Sequence, residues 1–395
     1  MMKMPGPLAA LALLVPRRVV VTRSSSSRTL VSLHGRAALS PVFRTRKTGG
    51  LHHIAQRPPN PSDLLTAEQQ QEQIDLLLAW WQTKEQVLCI SGAGVSTESG
   101  IPDYRGHEGS YHVSDHTPMI HDQFMSSQQN RQRYWGRGMV GWRSFDEMQP
   151  AAGHSAIAAL ESMGLLGVSF DDQQAFYETL PEDDDAVDAG RGKRHLALVT
   201  QNVDSLHRRA GSQHMIELHG RTDSLKCMHC GTSRDRNSFQ AELESMNADW
   251  LAEARRQTVE GDMRPDGDAN VRTADYGAVQ IPPCSVCGGF LKPDVVFFGD
   301  SVPKHRQERV RSAVDHADGL LVVGSSLTVH SAFKHVRAAR QKGIPVCILN
   351  VGQTRAEAEG LDVLKIEAPI GSTLSAVVAH FAKNEEAANI GTTTS

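Results

Sequence analysis

Two glycines that follow an apolar run are the first residues here whose type and spacing suggest chemistry. Gly92 and Gly94 come shortly after Val87–Ile90, a run that predicts a buried parallel strand. Where a strand turns into a helix, such glycines let the backbone approach a pyrophosphate and aim its N–H groups at the anion. Thr97 takes the third glycine position of the dinucleotide fingerprint, and Gly100-Ile101-Pro102 stops any long helix. The loop predicts a nucleotide site of an altered kind, with an ordinary tight turn as the alternative.

Two Cys-x-x-Cys pairs predict a metal site. Cys227 and Cys230 form the first pair, and Cys284 and Cys287 form the second. Four thiolates in this arrangement suit a tetrahedral zinc ion and leave no open coordination position, so the zinc would be structural. The pairs are farther apart than in a usual zinc ribbon, so most of Gly231–Pro283 must form an appended module; disulfides are the alternative. Six cysteines in all, with Cys89 and Cys347 in apolar runs, fit a reducing compartment.

Polar residues end two further apolar runs. Leu196–Thr200 predicts a second strand and leads into Gln201-Asn202-Val203-Asp204, while His219 ends the short run Ile216–Leu218. Open α/β sheets build their sites at the carboxyl ends of parallel strands. These residues are therefore candidates for catalysis, although a lone histidine is more often structural.

The remaining elements predict an α/β fold. Strands alternate with helices, which favours a Rossmann-like doubly wound parallel sheet with a smaller inserted zinc-binding module. The predicted helices cover 67–83, 151–163 and 373–383, with helical cover over the glycine loop at 117–142. The later strands are predicted at 319–323, 346–349 and, at an edge, 363–366, and the first two of these lead into Gly324-Ser325-Ser326 and Asn350-Val351-Gly352.

The N-terminus differs in composition from the rest. No Asp or Glu precedes Asp63, and the segment is rich in Arg and Ser. This composition is typical of a mitochondrial transit peptide, predicted with its linker over residues 1–57; the apolar run Leu8–Val15 leaves a secretory signal as the alternative. No apolar run approaches the length of a membrane span, so membrane insertion is not expected. The remaining chain is acidic, which disfavours nucleic acid as a partner, and residues 171–194 predict a charged surface loop.

Several strings together are similar to the sirtuin family. GAGVSTESGIPDYRG, TQNVDSLH, ELHGR, KPDVVFFGD, VVGSSLTV and ILNVG occur in family order with both cysteine pairs, so the resemblance covers about 65–395. RQRYWGRGMVGW, RPDGD and the leader resemble the class II mitochondrial branch. Two departures are the acidic stretch 171–194 and Tyr104, where many sirtuins have Phe.

The resemblance implies NAD-dependent removal of acyl groups from lysines of mitochondrial matrix proteins, with a structural zinc module over 221–293. The products would be nicotinamide, O-acyl-ADP-ribose and the deacylated protein. In the family mechanism the acyl oxygen attacks the nicotinamide ribose; His219 would deprotonate a ribose hydroxyl, and Asn202 and Asp204 would position water and nicotinamide. The implied NAD-binding residues are Gly92, Ala93, Gly94, Thr97, Ile101, Asp103, Tyr104, Arg105, Gln201, Asn202, Val203, Asp204, Gly324, Ser325, Ser326, Asn350, Val351, Gly352 and Ile370.

The resemblance also implies how the acyl-lysine binds. Its backbone would pair by strand addition with Val295, Val296 and Phe297. Tyr134 and Arg137 match the Tyr-x-x-Arg pair with which class II sirtuins hold an acyl chain that ends in a carboxylate. Glutaryl-type acyls, or lipoyl, are then expected over acetyl; a surface salt bridge is the alternative for Arg137.

Other functions remain open at this point. Mono-ADP-ribosyl transfer uses the same NAD bond, so the sequence does not separate it from deacylation. A dehydrogenase is disfavoured because the third glycine and a ribose-binding acid are missing. A zinc-ribbon adaptor without activity is disfavoured by His219 and the intact Gln201–Asp204 string.

Overall fold

The computed structural model describes residues 65–106, 109–113, 118–170, 194–271 and 275–392. The predicted transit peptide and linker, 1–57, lie outside these ranges, and so does the predicted acidic loop 171–194 apart from Arg194. Both remain predictions. Among the described residues, no helix is both long enough and apolar enough to cross a bilayer.

The elements are numbered in chain order. The strands are β1 Val87–Ser91, β2 Val168–Phe170, β3 Arg194–Leu196, β4 Leu198–Thr200, β5 Met215–Glu217, β6 Gly220–Cys227, β7 Ser233–Asp235, β8 Thr258–Met263, β9 Ala269–Val271, β10 Leu291–Val295, β11 Gly319–Val323, β12 Val346–Leu349 and β13 Leu364–Ile366. The helices are α1 Ala67–Trp81, α2 Ser110–Val113, α3 His121–Ser126, α4 Gln128–Asp146, α5 Ala152–Ser162, α6 Leu206–Arg209, α7 Arg236–Met246, α8 Ala248–Gln257, α9 Lys304–His316, α10 His330–Gln341, α11 Arg355–Ala358 and α12 Ile370–Thr392.

A parallel sheet in the order β13-β12-β11-β1-β4-β5 organises the larger part of the chain. Val87 lies opposite Gly319 on one side of β1, and Cys89 lies opposite Leu198 on the other. The chain runs outward from β1 through β4 and β5, then returns to β11 on the opposite side. Ligands of doubly wound sheets bind at such a switch point, at the carboxyl ends of the strands. The predicted Rossmann-like sheet is confirmed.

Both faces of this sheet are buried. Leu88 and Ile90 pack in one apolar cluster with Phe333 of α10. Their neighbours Val87 and Cys89 point the other way and pack with Leu77 of α1. Because side chains alternate along a strand, a strand covered on both faces must be apolar at every position, which explains the unbroken run that predicted it.

Local signals place the helix ends. Thr66 Oγ1 accepts a hydrogen bond from Gln69 N at 3.2 Å, and the Gln69 side chain accepts one from Thr66 N at 2.9 Å. This capping box satisfies two N–H groups that the first turn leaves unpaired, so α1 begins where the sequence predicts. The predicted edge strand is confirmed as β13, whereas α12 extends the predicted 373–383 helix in both directions.

One predicted strand is divided. The sequence predicts a single strand over 196–200, but β3 pairs antiparallel with β2, with Val168 opposite Leu196, while β4 joins the parallel sheet. Ala197 N donates instead to His214 O at 2.8 Å. An apolar run indicates burial but not which strand it pairs with, so the change of partner leaves no mark in the sequence.

A second, antiparallel sheet forms the inserted module. Its order is β10-β6-β7, and α7 and α8 belong to the same part of the chain. Leu225, Leu243 and Leu291 share an apolar cluster with Trp135 and Met139 of α4. The segment 118–142 is largely helical, as predicted. Most of the apolar face of α4 packs on this module, while Trp142 and Phe145 near its end pack on Ile101 of the loop after β1.

Candidate active site

A cavity of about 870 Å³ lies at the carboxyl ends of the parallel strands and beside the module. Most of the residues predicted for the site line it. They are Gly92, Ala93, Gly94, Ile101, Asp103, Tyr104, Arg105, Tyr134, Gln201, Asn202, Val203, Asp204, His219, Val295, Val296, Phe297, Gly324, Ser325, Ser326, Asn350, Val351 and Gly352.

Thr97 and Ile370 are not among the lining residues. Thr97 Oγ1 donates to Gly94 O at 3.0 Å, which fixes the turn that carries the glycines. Ile370 packs against Gly324 and Gly153. A Cβ added to either glycine would lie 3.0 Å from a methyl carbon of Ile370. Both side chains therefore support the loops around the cavity.

The glycine loop after β1 packs directly on the loop after β11. Gly94 N donates to Gly324 O at 2.9 Å. A Cβ on Gly92 would lie 2.8 Å from Gly324 O, and a Cβ on Gly94 would lie 2.9 Å from Gly324 Cα. Gly324 itself has φ +62°, which favours glycine. Gly92 and Gly94 are thus required because the two loops approach so closely, and also because a phosphate can then contact their backbone.

Arg105 supplies a buried cation at the cavity. Its guanidinium lies over the ring of Tyr111, 5.1 Å from the centroid. Among the described residues, Nε and Nη2 have no hydrogen-bond partner although both are buried, and burial lowers the pKa of this group. A buried guanidinium without a partner suits an anionic ligand such as a pyrophosphate. The cavity therefore fits the nucleotide that the glycine loop predicts.

His219 is held through both ring nitrogens. Nδ1 lies 2.9 Å from the carbonyl oxygen of Gln201, and Nε2 lies 2.7 Å from Ser331 Oγ. A carbonyl oxygen only accepts, so Nδ1 carries the proton and Nε2 is the free base. Burial lowers the pKa of His219, the Gln201 carbonyl opposes that shift, and the charge of Arg306 adds to it. The ring is therefore neutral at neutral pH.

The four predicted zinc ligands lie together. Their Sγ atoms are all within 4.8 Å of one another, with Cys227 and Cys287 at 3.5 Å and Cys230 and Cys284 at 3.7 Å. The structure brings the two pairs together because β6 ends at Cys227 and β10, which follows Cys287, pairs with it. A tetrahedral thiolate set of this size fits one zinc ion.

The comparisons with known proteins agree with this geometry. The model of the Sir2 family matches residues 92–170 and 188–331. The chain belongs to the Sir2 family. A curated NAD-dependent protein deacetylase 1 of Streptomyces coelicolor is 42% identical over 291 residues, 74% of this chain and 84% of that protein. The NAD-dependent protein deacylase SIR4 of Monosiga brevicollis is 39% identical over 319 residues, 80% of this chain and 92% of that protein.

Solved structures show the same fold. A Sir2 enzyme solved for the mechanism and regulation of the family matches with a TM-score of 0.55 at 26% identity, over 79% of this chain and 99% of that one. A Sir2–p53 peptide–NAD⁺ complex matches with a TM-score of 0.55 at 23% identity, over 78% of this chain and 97% of that one, and supports the fold alone. The chain is thus a sirtuin-type, NAD-dependent protein deacylase with four cysteines placed for one zinc ion.

In this sirtuin a buried polar network that the sequence does not reveal holds Asn202 and Asp204. Ser96 Oγ donates to Asp204 Oδ2 at 2.7 Å and accepts from Asn202 Nδ2 at 3.0 Å. His154 Nδ1 accepts from Ala151 N at 3.1 Å, so its Nε2 donates to Ser96 Oγ at 3.2 Å. Burial raises the pKa of Asp204, and the Leu206 N–H and Ser96 oppose the rise. Ser96 lies in the glycine loop and His154 in α5, far from Asp204 in sequence, so the sequence does not indicate that they meet.

The predicted acyl-binding pair is divided between two environments. Tyr134 lines the cavity beside Asp266. Arg137 is not a lining residue: its Nε lies 3.1 Å from Asp268 Oδ2 and 3.2 Å from Ala269 O, and the residue is 8% exposed. Burial raises the pKa of Asp268 to about 7, while Arg137 opposes the rise. Arg137 therefore already holds a carboxylate, which the protein itself supplies.

Proposed function

We propose that this sirtuin removes acyl groups from lysines of mitochondrial proteins, and that His219 is its general base. The observation that supports the second point is the tautomer of His219: Nδ1–H donates to Gln201 O, so Nε2, which Ser331 contacts, is the acceptor, and His219 lines the cavity. When bound, NAD supplies the ribose that accepts the acyl oxygen as nicotinamide leaves. Nε2 then takes a proton from a ribose hydroxyl, a role that suits a neutral imidazole. Asn202 and Asp204, fixed through Ser96, shape the wall on which nicotinamide is held.

The segment of substrate protein that carries the acyl-lysine, called the acceptor strand from here on, can pair with an open edge of the module sheet. β10 is the outer strand of the module sheet, so one side of it lacks a strand partner among the described residues. Val296, just beyond β10, donates its N–H to the carbonyl of His219 at 2.8 Å. A peptide added along 295–297 therefore passes next to the base, and strand addition provides main-chain hydrogen bonds for any sequence.

We further propose that acyl chains ending in a carboxylate, or long acyls such as lipoyl, are preferred over acetyl, as in class II sirtuins. Tyr134 and Arg137 lie one turn apart on α4, and Tyr134 already lines the cavity. Asp268 shows that Arg137 can hold a carboxylate, and an acyl carboxylate would have to take the place of Asp268 at 3.1 Å from Nε. Burial raises the pKa of Asp268 to about 7, so its carboxylate is easier to displace from Arg137 than one with an ordinary pKa.

The acyl preference is tested by kcat/KM for glutaryl-, methylglutaryl-, lipoyl- and acetyl-lysine peptides. The acidic acyls should exceed acetyl in the wild type and lose their advantage in Arg137→Met. Arg143→Met is the matched control, because Arg143 lies on the same helix and pairs with Glu244 in an exposed position. An advantage that survives in Arg137→Met would overturn the preference. Labelled protein without O-acyl-ADP-ribose would indicate ADP-ribosyl transfer instead.

The mitochondrial location is proposed from the N-terminal composition alone. Residues 1–60 lack acids and carry repeated Arg and Ser. Fused to a fluorescent reporter, this segment should direct the reporter to the mitochondrial matrix, and a variant with its arginines changed to Glu should not. A reporter that is secreted or stays in the cytosol would refute the assignment.

A further inference from the structure

One wall of the cavity, formed by the start of α10, carries positive charge. Ser331 and Lys334 both line the cavity, and their spacing of three places them on one face of the helix. Ser331 contacts His219, so Lys334 lies one turn away from the proposed base. Lys334 Nζ donates to the side-chain oxygen of Gln307 on α9, the helix that follows the 295–302 segment. Lys334 is thereby fixed on the side where the acceptor strand would enter.

This positive charge has no counter-charge among the residues that the structure describes. Within the described ranges, no ion pair joins Lys334 or the nearby Arg337 to a carboxylate, and Arg337 packs over the ring of Phe333 at 5.4 Å. Lys342 at the far end of the helix does pair with Asp315. Partial burial lowers the pKa of Lys334, because a desolvated ammonium without a carboxylate is unfavourable. The ammonium group of Lys334 is therefore placed to bind an anion that a ligand carries.

Two acids of the segment across from α10 lie near basic side chains. Asp300 lies 3.2 Å from His121 Nδ1, and Asp294 lies 3.7 Å from Arg306. An acidic side chain of the acceptor that reaches the other wall finds Lys334, which pairs with no carboxylate of the described residues.

We propose that Lys334 binds a side-chain carboxylate of the acceptor protein, an Asp or Glu close in sequence to the acyl-lysine. The inference rests on the proposed entry of the acceptor strand beside 295–297. Lys334 then selects acceptor sites by their charge, independently of the acyl group. A half-buried ion pair of this kind acts on binding and is weakened by salt.

The test uses acyl-lysine peptides that carry Glu, Gln or Lys at each of the three positions on either side of the modified residue. At one or more positions, Glu should raise kcat/KM about fivefold over Gln in the wild type, mainly through KM. The advantage of Glu over Gln peptides should vanish in Lys334→Gln and shrink at 500 mM salt. In Lys334→Glu, peptides that carry Lys should have the higher kcat/KM instead. Lys342→Gln should keep the wild-type pattern because Lys342 is paired with Asp315 outside the cavity.

Two results with the peptide series overturn the inference. One is the absence of any advantage of Glu over Gln in the wild type; the other is an advantage that persists in Lys334→Gln. A rise in KM for NAD rather than for peptide in that variant would also refute it, since Lys334 would then serve the nucleotide. If no peptide is turned over by the wild type, the proposed function fails instead.

Discussion

Ser331 Oγ lies 2.7 Å from Nε2 of His219. The opposite nitrogen of the ring donates to Gln201 O, so Nε2 is the unprotonated atom and Ser331 is its donor. Ser331 lies on α10 and contacts the basic nitrogen, whereas Gln201 lies just after β4 and contacts the other ring nitrogen. Segments that follow β4 and β11, the strands on opposite sides of β1, therefore fix one imidazole.

Replacing Ser331 tests this positioning. Ser331→Ala should lower kcat about fivefold, because it removes one hydrogen bond that contributes roughly 1 kcal/mol. The KM for NAD should stay nearly unchanged. Ser331→Thr keeps the hydroxyl and should recover most of the loss. Steady-state kinetics of both variants provide the measurement. Equal rates for the wild type and Ser331→Ala would show that the contact does not position the base.

Two buried histidines predict how stability depends on pH. Burial lowers the pKa of His154 and of His335 to about 4 in each case, below the unfolded value of about 6.5. Between these values each histidine binds more protons in the unfolded chain, so its contribution to the free energy of unfolding falls as the pH is lowered from 7 to 5. The loss is on the order of 2 kcal/mol per histidine.

Urea unfolding of the wild type and of His335→Phe at both pH values measures this effect. The variant should lose less stability than the wild type between pH 7 and 5. An identical loss in the two proteins would show that His335 is not kept neutral by burial.

Replacing one of the four zinc ligands should remove the metal and destabilise the inserted module at the same time. Cys230→Ser should release the zinc and lower Tm, because structural zinc contributes folding free energy directly. Cys347→Ala is the control, since Cys347 is buried in the parallel sheet and should leave one zinc per chain. Elemental analysis and thermal unfolding provide the readouts. A Cys230→Ser protein that retains one zinc would contradict the assignment.

The sequence predicts what depends on local patterns. The apolar run of β1, the Thr66 cap and the two cysteine pairs each follow from a few neighbouring residues, and the structure places all three as expected. The polar contacts behind the site are different. Ser331 meets His219 across 112 positions, and Ser96 meets Asp204 across 108, so only the folded chain joins them.

Arg137 shows a second limit of sequence reasoning. The Tyr-x-x-Arg spacing places both side chains on one helix, but it says nothing about Asp268, which arrives from the inserted module and pairs with the guanidinium. Lys334 is a similar case, because only the folded chain shows that no carboxylate of the described ranges pairs with it.

The central claim is that this sirtuin deacylates lysine with His219 as its base. The most direct measurement is the NAD-dependent formation of nicotinamide and O-acyl-ADP-ribose from an acyl-lysine peptide, compared between the wild type and His219→Ala at equal zinc content and Tm. The wild type should form both products in equal amounts, and the variant should be slower by about 10²–10⁴-fold. Near wild-type turnover in His219→Ala would contradict the account.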